Sequence, residues 1–311
     1  MHQTIGPPGL TALCVSALGS ALLIGCSDDG VSGGGGGSTD NTGTGQGASS
    51  GNGFTTGSGS TGNSGPTGCE RVDIVISVDN SSSMDEEKLA LSTDVFPAFA
   101  SALLAVGGGL EDYRIAVKDA CPTPGGYNTA GVSLGPCNFS TGQVWMESTS
   151  PDLVGEFACV GDVDSSASTC SGDDDDEQPA SAAAASLESP ASTGANAGFL
   201  RDDALLVVIA ITDEDELPVP SSSAQQIHDR LVASKGGDAS RMVFLGIGGL
   251  SNCQGVYGSA NQASLLKEVT DLFAAEGRGV FWDLCVGQLQ DGLGEAMGVI
   301  EEACAEFPAP Q

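Results

Sequence analysis

Val72-Asp73-Ile74-Val75-Ile76-Ser77-Val78-Asp79-Asn80-Ser81-Ser82-Ser83 is the stretch that decides the fold. Its first seven residues form an apolar run of the kind that makes a strand buried on both faces. A carboxylate and two hydroxyls follow on alternate residues, Asp79, Ser81 and Ser83. In extended backbone, alternate side chains point the same way, so three oxygens can converge just past the carboxyl end of the strand. Open α/β sheets place their ligand crevices there. Oxygen donors without imidazole or thiolate suit a hard divalent cation, Mg²⁺, Mn²⁺ or Ca²⁺, better than Zn²⁺.

A second apolar run, Ala204 to Ile211, ends in Thr212-Asp213-Glu214-Asp215-Glu216. Two parallel strands ending this way would make one acidic rim. Between and beyond them, strand and helix patterns alternate. Strands are expected at 113–120, 143–146, 242–247 and 279–284. Helices are expected at 84–106 (Leu89, Phe96, Phe99 and Leu103 near one face, with a kink at Pro97), from 151, and at 178–187, 224–233, 261–275 and 292–306. Residues 161–177 read as a loop. This order predicts an α/β fold with a doubly wound, mostly parallel sheet and helices on both faces.

The two strand ends together resemble the von Willebrand factor type A family, over roughly Cys69 to Cys304. In that family a D-x-S-x-S motif after the first strand and an Asp after the fourth form a metal-ion-dependent adhesion site. The matching positions are Asp79, Ser81, Ser83 and Asp213. The resemblance implies a Rossmann-like sheet and divalent-cation-dependent binding of a protein ligand through an acidic side chain. It implies that Asp213 acts through water, leaving the cation electrophilic. It also implies a Thr ligand from a loop before the fourth strand. No residue matches that Thr cleanly; Ser165 is the first choice and Thr169 the second.

Residues 1–25 read as a secretory signal, with an apolar stretch from Leu10 to Ile24 too short to span a bilayer comfortably. Leu23-Ile24-Gly25-Cys26 resembles a bacterial lipobox, although Met1-His2-Gln3-Thr4 lacks the usual basic residue. That resemblance implies acylation at Cys26 and anchoring in the cell envelope, where several acyl chains hold stably. Ser27 after Cys26 leans towards the outer membrane. Residues 26–68, almost all Gly, Ser, Thr and Asn after the lipid cysteine, read as a flexible tether with a reach of roughly 35 Å. The folded domain is expected at 69–311.

Ten Lys and Arg face 41 Asp and Glu, a net charge of −31. So acidic a chain lacks the basic patches that nucleic acid or anionic headgroups require. It also steers an acidic ligand poorly, although charges beyond about 8 Å are screened at physiological salt. Outside the leader and Cys26 there are eight cysteines: Cys69, Cys121, Cys137, Cys159, Cys170, Cys253, Cys285 and Cys304. An even number in an exported domain predicts four disulfides. The expected pairs are Cys121–Cys137 and Cys159–Cys170 as local loops, Cys69–Cys304 across the domain ends, and Cys253–Cys285 by elimination.

Other features carry less. Asp173 to Asp176 lack the spacing of a calcium loop and read as a solvated acidic stretch. Gly246-Ile247-Gly248-Gly249 lacks the third glycine of a dinucleotide loop, since Ser251 stands there. His228 is expected at the surface of a helix, and no G-x-S-x-G elbow is present to serve a Ser–His catalyst. The chain is therefore not expected to be an enzyme. Two alternatives stay open: a Mg²⁺-dependent phosphoester hydrolase using Asp79, and a structural envelope protein without metal-dependent binding.

Overall fold

The computed structural model describes residues 69–91, 98–99, 112–131, 134–163, 177–216, 222–255 and 258–307. Its centre is a six-stranded sheet in the order β10-β7-β6-β1-β2-β5. The strands are β1 (Arg71–Val78), β2 (Asp112–Asp119), β5 (Met146–Glu147), β6 (Leu205–Ile211), β7 (Met242–Gly248) and β10 (Gly279–Asp283). All neighbours pair in parallel except β5, which runs antiparallel to β2. β1 lies between β2 and β6, so the strand order reverses at β1. Such a switch point opens a crevice at the carboxyl ends of the strands.

Strand alternation divides the core in two. Val72, Ile74, Ile76 and Val78 of β1, with Leu205, Val207, Ile209 and Ile211 of β6, face one side. There they meet Phe157 of α2 (Leu153–Val160) and Leu293, Met297 and Ile300 of α6 (Leu289–Glu306). Val75, Leu206, Val208 and Phe244 face the other side. There they meet Ala183 of α3 (Pro179–Leu187), Ile227 and Leu231 of α4 (Ala224–Ala233) and Phe273 of α5 (Ser264–Ala274). Burial on both faces is why β1, β6 and β7 read as continuous apolar runs. The expected α/β fold, doubly wound with a mostly parallel sheet, is the one found.

Most expected elements lie within a few residues of their observed bounds. The strand expected at 143–146 is only Met146–Glu147, an antiparallel edge. Before it, Ala130–Gly131 (β3) and Gly135–Pro136 (β4) pair as a small hairpin. A second hairpin, Cys253–Gly255 (β8) with Gly258–Ala260 (β9), was not expected from the sequence. Of the long helix expected at 84–106, Asp85–Ala90 (α1) is described, and Ala98 and Phe99 are helical. Leu89 is not on the apolar face of α1; it is 64% exposed, and Lys88 turns inward instead. Gly246 and Gly248 serve packing. A Cβ on Gly246 would lie 2.3 Å from Thr270 Oγ1, and one on Gly248 would lie 2.8 Å from Ala263 Cβ. Residues at the start and middle of the α5 region therefore press directly onto the β7 backbone.

The disulfides correct two expectations. Cys69–Cys304 and Cys253–Cys285 are present, but Cys137 is bonded to Cys159. This excludes both Cys121–Cys137 and Cys159–Cys170. The β3–β4 hairpin packs on α2, which brings the Cα atoms of Cys137 and Cys159 to 5.8 Å. Cys121 is also disulfide-bonded, but it leaves the end of β2 fully buried beside Asn80. Cys170 lies outside the described residues, as do the leader, Cys26 and the tether. No helix among the described residues is long and apolar enough to cross a membrane.

Candidate metal centre

The register of the central strands sets the site. Val78 of β1 lies opposite Ile211 of β6, so Asp79 and Thr212 are the next residues on each strand. The backbone continues the pairing for one more bond, from the Asp79 amide to the Ile211 carbonyl at 2.9 Å. Thr212 Oγ1 then donates to Asp79 Oδ2 at 2.7 Å. The Ser81 amide donates to Asp79 Oδ1 at 2.7 Å, folding the chain back over the carboxylate. After that turn a short 3₁₀ segment, Ser82–Met84, leads into α1.

The hydroxyls and the second acid close the set. Ser81 Oγ and Ser83 Oγ are 2.8 Å apart, and Ser83 Oγ donates to Asp213 Oδ1 at 3.1 Å. Four residues expected from the sequence, Asp79, Ser81, Ser83 and Asp213, are thus linked across two strand ends. Asp79, Ser81 and Asp213 are buried, whereas Ser83 is exposed and opens the set to solvent. Ser165 and Thr169 lie outside the described residues, as does Asp173 to Asp176.

The electrostatics leave negative charge unanswered. Burial pushes the Asp213 carboxyl up to about 7, and the nearby Asp79 charge adds to the rise. Burial also raises Asp79, against the hydrogen bonds from Ser81 and Thr212. Hydroxyls and amides orient these acids, and the Lys88 charge acts on Asp79 while its ammonium bonds neither acid. A hard cation would answer the remaining negative charge, and the donors present are all oxygen, so the set fits Mg²⁺ or Mn²⁺. Among the described residues, no cluster of three or more His, Cys, Asp or Glu is placed to hold a metal. A site here must therefore reach its donor count with serine hydroxyls.

The acidic run after β6 is not a continuous rim. Asp213 points to the serines, whereas Asp215 Oδ1 accepts from the Leu265 amide at 2.8 Å in the first turn of α5. Glu216 accepts from the Ala180 amide at 2.6 Å and from Ser181 Oγ at 2.7 Å at the start of α3. Thr212 is the site residue that the sequence reading left without a role. Counting one residue past each apolar run would have placed it against Asp79. His228 is buried, not at the surface. Its ring packs on Phe273 at 4.4 Å, and Nδ1 lies 3.2 Å from Asp229 Oδ1.

No family model and no curated protein matches the sequence. Among solved structures, the chain is similar to proximal thread matrix protein 1 from the mussel byssus, at 14% identity and a TM-score of 0.43. That match covers 74% of this chain and 48% of the other, so the chain spans about half the mussel protein's length. It is also similar to manganese-loaded Plasmodium vivax TRAP protein, at 14% identity and a TM-score of 0.36, over 76% of this chain and 74% of that one.

Proposed function

We propose that this domain is a von Willebrand type A-like module that binds a protein ligand through a divalent cation. Asp79, Ser81 and Ser83 would hold the ion directly, Asp213 would act through water, and Ser165 would complete the set. The observation that carries this reading is the linked group Asp79–Thr212 and Ser81–Ser83–Asp213 at the switch point of the sheet. When bound, the cation would supply an electrophilic centre for an acidic side chain of the partner. Ser83, exposed at the mouth, is where that side chain would approach. The motif itself favours binding over phosphoester hydrolysis. An Asp79 nucleophile of the phosphatase kind would need a second Asp two residues on, and Ser81 stands there.

Thermal and urea unfolding with Mg²⁺, Mn²⁺ or EDTA tests the reading. At a cation concentration one hundred times Kd, stability should rise by about 2.7 kcal/mol. Asp79→Ala should remove that response. A midpoint that ignores cation and chelator in the wild type would sink the proposal.

We further propose that acyl chains on Cys26 tether the domain to the bacterial cell envelope, in the outer membrane. The lipobox-like Leu23 to Cys26 and the Gly/Ser/Thr-rich stretch behind it support this. Cys26→Ser should move the protein from the membrane fraction to the soluble one; equal membrane retention would refute the anchor.

A further inference from the structure

Lys88 is the cation that the fold itself delivers to this loop. It sits on α1, is only 8% exposed, and reaches back seven and eight residues. Its Nζ donates to the Ser81 carbonyl at 2.8 Å and the Asn80 carbonyl at 3.3 Å. The third partner is Asp85 Oδ1, one turn earlier on the helix, at 3.1 Å. An ammonium has three protons, and three oxygens take them. Burying a lysine head group otherwise carries a large desolvation penalty, so a contact this complete reflects a defined geometry.

The two carbonyls matter because of where they sit. The Asn80 carbonyl and the Ser81 amide belong to one peptide, which is planar. Lys88 holds the oxygen side of that plane, and Asp79 Oδ1 holds the N–H side at 2.7 Å. The Ser81 carbonyl, also held by Lys88, accepts the Met84 amide at 3.3 Å and so starts the 3₁₀ turn that carries Ser83. The Ser81 side chain sits between these two peptides, and Ser83 lies within the turn that the second one starts.

We propose that Lys88 is the positioning residue of the cation site: it fixes the 80–82 peptides so that Ser81 Oγ and Ser83 Oγ face Asp213. This rests on the cation-binding reading above. Lys88 does not touch the ion's own donors; it acts through the backbone that carries them. Its ammonium also places a positive charge near Asp79.

Isothermal titration with Mn²⁺ on wild type, Lys88→Met and Lys88→Arg tests it, with urea unfolding of each in EDTA alongside. Lys88→Met should weaken Mn²⁺ at least tenfold while remaining folded. Lys88→Arg, which keeps charge and donors, should stay within about threefold of wild type. If wild type binds and Lys88→Met binds equally well, the positioning role is overturned and the cation site stands. If wild type itself does not bind, both readings fall. Should Lys88→Met not fold, ¹⁵N-lysine NMR of the wild type decides. One ammonium with slowly exchanging protons should shift on adding Mg²⁺; its absence, or indifference to Mg²⁺, overturns the proposal.

Discussion

The two ends of the central sheet both hold buried acids, and they treat them differently. At the amino end, Asp73 of β1 is fully buried and takes two bonds from Arg201, from its amide at 2.7 Å and from Nε at 2.8 Å. Arg201 also pairs with Asp112 at the start of β2, and Arg71 pairs with Asp112 and Asp203. Lys235 supports the cluster by donating to the Arg201 carbonyl at 2.7 Å. At the carboxyl end, Asp79 and Asp213 take hydroxyls and an amide instead. The amino end has its cations in the sequence. At the carboxyl end Lys118 pairs with Asp119 at the end of β2, and Lys88 goes to two carbonyls and Asp85, so neither lysine is bonded to Asp79 or Asp213. In a chain with so few basic residues, where they are placed says which acids are structural.

The amino end therefore offers the largest effect. Arg201→Met removes the charge while keeping much of the side-chain bulk. It leaves Asp73 buried with no guanidinium beside it. Breaking a buried pair from one side costs about 3–5 kcal/mol. Burial already pushes the Asp73 carboxyl up, with Arg201 as the main opposing influence. Without Arg201 the acid would rise further, so the loss should be greater at pH 8 than at pH 5. Urea unfolding at both values measures it. A loss under 1 kcal/mol would mean that the two ends differ less than their partners suggest.

That contrast was only partly legible in the sequence. The apolar runs of β1 and β6 could be read because strands buried on both faces need unbroken hydrophobicity, and the first polar residue after each run marks the rim. Asp79 followed directly; after β6 the first polar residue is Thr212, and Asp213 comes one residue later. The run Asp213 to Glu216 misled because alternation holds only while the chain stays extended. Beyond Asp213 the backbone turns, and Asp215 and Glu216 reach two different helix starts. Helix capping by residues distant in sequence leaves no local spacing to read. His228 was legible and overlooked: Ala224, Ile227, His228 and Leu231 share the buried stripe of α4, so the imidazole had to point inward. The Cys137–Cys159 bond depends on how the β3–β4 hairpin docks on α2, which cysteine spacing does not encode. Arg201 lies just before β6 and Asp73 inside β1, and only the parallel pairing of those strands brings them together.

Glu216 sharpens the comparison from the carboxyl end, with a somewhat smaller effect. It is a buried acid whose partners are two amides and a hydroxyl at the start of α3, with no cation bonded to it among the described residues. Burial lifts its carboxyl from an ordinary 4.5 to about 7, against those hydrogen bonds. A raised folded-state value means that the folded chain binds the proton more tightly than the unfolded one. Glu216 therefore contributes fully below about pH 4.5, and its contribution is lost as pH rises through about 7. The shift corresponds to about 3 kcal/mol across that window. Glu216→Gln keeps a carbonyl oxygen for the Ala180 amide and cannot ionise. In EDTA, with the disulfides intact, the wild type's stability relative to this variant should fall by that amount between pH 4 and pH 8. The direct comparison matters because other buried acids titrate in both proteins and cancel in the difference. A gap that does not change with pH would show that the positive end of α3 answers the Glu216 charge as well as Arg201 answers Asp73. The distinction between the two ends of the sheet would then rest on Asp79 and Asp213 alone.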